Sequence, residues 1–61
     1  MEYYVISRFH DCRTGRHVDR SGPLSEAEAR EQAELRARRP NTYSVYICQG
    51  SPYGAVLHKI K

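Results

Sequence analysis

The side chains that could do chemistry are few. His10, Cys12 and His17 cluster in one short stretch, while Cys48 and His58 lie far along the chain. Thiolate and imidazole are zinc ligands, but this spacing matches no compact motif such as paired C-x-x-C knuckles, and a fourth ligand would have to come from Cys48 or His58. Ser, His and Asp are present without the spacing of a catalytic constellation. There is no paired-carboxylate arrangement, no glycine-rich phosphate loop and no nucleophile elbow. A domain of 61 residues also has little room for a water-excluding pocket. The expectation is a non-enzyme with no catalytic residues, no metal, no cofactor and no small-molecule substrate.

The remaining chemistry is charge. Eight arginines and two lysines face seven acids, for a net charge of +3, a mild bias toward anionic partners. On the first hairpin stand Arg8, Arg13, Arg16, His17 and Arg20, and Arg36, Arg38 and Arg39 follow in one cluster further on. Arginines on a two-stranded ribbon can reach phosphates or guanine edges in a major groove. Arg13, Arg16, Arg36, Arg38 and Arg39 are therefore the candidate nucleic-acid contacts, with Tyr3, Tyr4 and Tyr46 as residues on which bases could stack. A structural reading competes: helix-end arginines answer the helix dipole, and edge-strand arginines oppose aggregation.

The elements that position these residues read as follows. Glu2 to His10 is β-branched and aromatic, a strand. Asp11 to Arg16 is a tight turn in which Asp11 bonds the backbone ahead of it and Gly15 takes a positive φ. Arg16 to Arg20, anchored only by Val18, is a polar edge strand, and Ser21-Gly22-Pro23 is a break. In "LSEAE" Ser25 and Glu28 form a capping box, and Pro40 stops the helix that follows. Thr42 to Gln49 alternates as a strand with one buried side. After the turn Gly50 to Gly54, Ala55 to Ile60 forms a fourth strand, with either Val56 and Ile60 or Ala55 and Leu57 facing inward. A right-handed crossover by the helix sets the first and third strands side by side and antiparallel. The predicted fold is one α+β domain over residues 1–61, ββαββ, with a mostly antiparallel four-stranded sheet in the order 2-1-3-4 and the helix on one face. In that register Cys12 and Cys48 are separated by roughly 20 to 30 Å, too far for a disulfide.

Ala29, Ala33 and Ala37 form a small-residue stripe that lets the helix lie close to the sheet, over Tyr3, Val5, Phe9, Tyr43, Val45 and Ile47. Leu35 falls on nearly the opposite side, toward water. On the other sheet face Tyr4, Ile6 and Tyr46 are expected side by side with no cover within the chain, and a bare apolar patch of that kind marks an interface. Tyr4, Ile6 and Tyr46 are the candidate protein-contact site, with Leu35 as a second site, for another protein or for a second copy in a homodimer.

No apolar stretch approaches the roughly 20 residues needed to span a bilayer, and the N-terminus lacks a basic-then-apolar leader pattern. Two cysteines in such a chain read as free thiols in the cytoplasm. The hairpin, capped helix and hairpin, with "GPLSEAEAREQAELRARRP" between two tyrosine-bearing strands, resemble the small stand-alone ββαββ proteins common in phages and high-GC bacteria, a layout shared by some anti-CRISPR proteins. The resemblance rests on element order and transfers no functional residue. It implies a class of action: binding a larger protein or nucleoprotein complex through sheet and loop surfaces, without catalysis.

Overall fold

The computed structural model of the chain describes residues 2–61. Its elements are β1 (Tyr3–Asp11), β2 (Gly15–Leu24), α1 (Glu26–Ala37), β3 (Thr42–Gln49) and β4 (Val56–Lys59). The strands form one antiparallel sheet in the order β2-β1-β3-β4. This is the ββαββ layout and strand order expected from the sequence.

The local signals act as their chemistry requires. Asp11 Oδ1 accepts from the backbone N–H groups of Arg13 (2.7 Å) and Thr14 (3.4 Å), and Gly15 closes the turn at φ +89°. Ser25 is the N-cap of α1 and accepts from the Glu28 N–H at 3.2 Å. Glu26 and Arg30 pair across one helical turn at 3.2 Å. At the other end of α1, Lys61 Nζ donates to the Ala37 carbonyl at 3.0 Å, placing a cation at the negative helix terminus.

The core lies between α1 and one sheet face. Val5, Val45 and Ile47 from the sheet meet Ala29 and Ala33, with Tyr3, Leu24 and Ala37 packed at the margin. Small residues at the contact allow the close approach that the alanine spacing predicts.

Three β-bulges change the reading of which residues face inward. Between β1 and β3, Arg8 pairs with Ser44 but Phe9 pairs with Thr42, so Tyr43 is the extra residue. Thr42 is buried and Tyr43 is 47% exposed, which corrects the expectation that Tyr43 packs under the alanines: a bulge re-aims the side chains that follow it. Phe9 is likewise outside the alanine cluster and stacks on His17, its partner in β2, with ring centroids 5.3 Å apart. Between β1 and β2, Gly22 and Pro23 stand against Tyr4 alone. The expected break is therefore a bulge inside a longer strand, which continues to Leu24 instead of ending at Arg20. Gly22, at φ +149°, lies under the Tyr4 ring; a Cβ there would also meet the Tyr3 carbonyl oxygen at 2.8 Å. Between β3 and β4, Leu57 is the extra residue. Neither set proposed to face inward does so: Ala55, Val56, Leu57 and Ile60 are all exposed.

Candidate functional site

The sheet face away from α1 carries Tyr4, Ile6 and Arg8 from β1 and Tyr46 and Cys48 from β3, with Ile6 opposite Tyr46 and Tyr4 opposite Cys48. The three candidate contact residues are thus brought together as predicted. Their exposure is not as predicted. Ile6 is 0% exposed and Cys48 1%, and Tyr4 and Tyr46 are half-buried. The chain covers this face itself. Ile6 sits between Arg20 and Tyr46 across the sheet and between Tyr4 and Arg8 along its own strand. The segment after β3 folds back, so that Pro52 and Tyr53 line a cleft of about 230 Å³ with Arg8, Arg20, Tyr46 and Cys48. The Arg20 guanidinium lies 4.7 Å from the centre of the Tyr53 ring. Ile6 is accordingly a core residue and cannot itself meet a partner.

A second cleft of about 370 Å³ adjoins the first, sharing Arg8, Tyr46 and Val56 and adding Tyr43, Ser44 and Lys59. Among the described residues no carboxylate lines either cleft. Glu2, at the far end of this face, accepts from the Tyr4 hydroxyl at 3.1 Å. Partial burial, then that hydrogen bond and the Glu2 charge, hold the Tyr4 hydroxyl above its ordinary pKa. Burial likewise raises the Cys48 thiol, while Cys12 stands exposed in the hairpin turn; both cysteines are free.

The arginine cluster is divided. Arg36 is buried against the helix side of the sheet. Its guanidinium donates to the Val5 carbonyl and the Ser7 hydroxyl, both at 3.4 Å, and to the Ser21 hydroxyl, and it pairs with Asp19 at 3.3 Å. This corrects the expectation that Arg36 contacts nucleic acid: its donors are consumed in tying α1 to β1 and β2. Arg13, Arg16, Arg38 and Arg39 are exposed. Arg39 shares a cleft of about 350 Å³ with Phe9, His10 and Asp11, which brings the end of α1 beside the first hairpin turn, and the Asp11 carboxylate is part of that same surface. The backbone N–H groups of Arg13 and Thr14 hold that carboxyl below the usual carboxylate range.

The exposed apolar surface lies elsewhere than the sequence suggested. Leu35 is 47% exposed on the outer side of α1, as expected, but the larger group is at the other sheet edge: Tyr53 (79%), Val56 (57%), Leu57 (43%) and Ile60 (41%). β4 is the last strand in the sheet. The readable signal was its composition, since the stretch from Ala55 to Ile60 has neither proline nor glycine, and only Lys59 guards it. Among the described residues no group of three or more His, Cys, Asp or Glu side chains converges to hold a metal ion, and no helix is long and apolar enough to cross a membrane.

Compared with known proteins, the chain matches no protein-family model, no curated relative and no solved structure.

Proposed function

We propose that this chain is a non-enzymatic binding module that acts through protein–protein contacts, made by adding a partner strand to the open edge of β4, and that a second copy of the chain is a sufficient partner. The observation that carries this reading is the contrast between the two sheet edges. β2 is guarded by Pro23 and by the charges of Arg16, Asp19 and Arg20. β4 carries one charge, Lys59, and a bulge at Leu57, and Val56, Leu57 and the following Ile60 stand in water with no strand beyond them among the described residues. An edge left largely apolar is a template for strand addition.

The edge is also compatible with itself. If two copies pair antiparallel along this edge, the Val56, Leu57 and Ile60 side chains of each come together and leave water. A core of five buried residues from sheet and helix is small, and chains of this size commonly gain stability from oligomerisation. The shared layout with some anti-CRISPR proteins supports a role in which a larger host complex competes for the same edge, as an inhibitor or regulator carried by a phage or mobile element. Two free thiols suit the reducing conditions of the cytoplasm, where we place this action.

Sedimentation velocity over a range of concentrations tests the reading. We expect a monomer–dimer equilibrium that a Leu57→Lys/Ile60→Lys variant abolishes without loss of the folded circular dichroism spectrum.

A further inference from the structure

We infer that the sheet face opposite α1 is a binding surface for single-stranded nucleic acid, with tyrosines as stacking platforms and Arg8, Arg20 and Lys59 as phosphate contacts. This site adjoins the β4 edge, which supplies Lys59 and Val56, and is separate from the arginine set at the helix end.

Charge and ring placement carry the inference together. The five tyrosines divide unequally: Tyr3 lies on the helix side, where its hydroxyl donates to Glu26 at 3.4 Å. Tyr4, Tyr43, Tyr46 and Tyr53 all belong to the opposite face, Tyr43 because the β3 bulge turns it there. Arg8 and Tyr46 are shared by the two adjoining clefts, with Tyr43 and Lys59 on one side and Tyr53 and Arg20 on the other. Arg16 follows on the same face by register, opposite His10. Of the seven acids, Glu2 lies on this surface, at its far end, where it accepts from Tyr4; Glu26, Glu28, Glu31 and Glu34 belong to α1, Asp19 is paired with Arg36, and Asp11 lies at the first hairpin turn beside Arg39. A molecule with a net charge of +3 thus concentrates cations among rings on one face.

A polyanion with flat groups fits that pattern. Bases stack on tyrosine only when they are unpaired, so a single strand is the form that can use these rings, whereas a duplex hides its base faces. A four-stranded sheet is about 15 Å across, room for about two or three stacked bases. The Arg20 guanidinium over Tyr53 already shows that ring accepting a planar cation; a base sliding onto Tyr53 would leave Arg20 for phosphate.

The test uses the intact chain and a short fluorescein-labelled oligo(dT), with polyglutamate as the competing polyanion. Because there is no tryptophan, intrinsic tyrosine emission reports stacking directly. We expect binding at low salt with quenching of tyrosine emission. The logarithmic salt slope should be about −2, for three phosphates on a single strand. Tyr46→Ala should weaken binding about tenfold or more, Tyr46→Phe should retain it, and Arg8→Glu should remove most of it, all with unchanged circular dichroism spectra. Absence of binding at low salt overturns the proposal, as does equal binding of polyglutamate without quenching, which would mark the face as a site for acidic protein segments. If Tyr46→Ala fails to fold, Tyr43→Ala, at an exposed ring, answers the same question.

Discussion

At the scale of residues, Arg36 shows how one side chain changes meaning between sequence and structure. The sequence places it in a basic run at a helix end, where a surface role is the natural reading. The structure buries it and uses its donors on Val5, Ser7, Ser21 and Asp19. Arg36→Ala should destabilise the fold by about 2 kcal/mol, because the buried acceptors lose their donor and a void remains. Arg36→Lys should recover little of that, since an ammonium cannot reproduce the planar fork; chemical denaturation of both variants checks this. Asp11 makes a pH-dependent claim. Its carboxyl is held below its ordinary pKa by the Arg13 and Thr14 N–H groups, so its anion stabilises the fold above the unfolded carboxylate value. That contribution is lost as pH falls through the lowered folded value. Asp11→Ala should therefore lower the melting temperature near neutral pH, and the gap from the parent should narrow below about pH 4.

At the scale of elements, much of the architecture was legible. Asp11 and Gly15 announced the first turn, Ser25 and Glu28 the helix start, and the alternation from Thr42 to Gln49 gave the boundaries of β3 as observed. The candidate site was legible only in part, because each of the three bulges adds a residue that periodicity has no means to detect. One extra residue at Tyr43 was enough to exchange Tyr43 for Thr42 in the interior, and one at Leu57 broke the alternation of β4. The burial of Ile6 was also invisible, since periodicity gives the face of a residue but not how far its long neighbours, here Tyr4, Arg8, Arg20 and Tyr46, close over it. Gly22 marks the element most sensitive to change. Gly22→Ala would drive a Cβ into the Tyr4 ring and the Tyr3 backbone at a φ that side chains rarely adopt. We expect a loss of about 2 kcal/mol or more, read as a lower denaturation midpoint. That loss should appear even though the substituted position is exposed.

At the scale of the whole molecule, the two faces and two edges of one small sheet do different work. One face is the core under an alanine-lined helix, and the other is a tyrosine and arginine surface closed over Ile6. One edge is charged and carries Pro23, and the other is largely apolar. The contact site we propose therefore lies not at the centre of the sheet, where apolar sequence first suggested it, but at β4, where apolar side chains remain in water. The most direct test of that claim is sedimentation velocity of the parent chain beside the Leu57→Lys/Ile60→Lys variant, across concentrations up to the millimolar range. The account predicts a dimer at high concentration for the parent and a folded monomer throughout for the variant. A parent that stays monomeric at every concentration, or a variant that dimerises equally well, would contradict it.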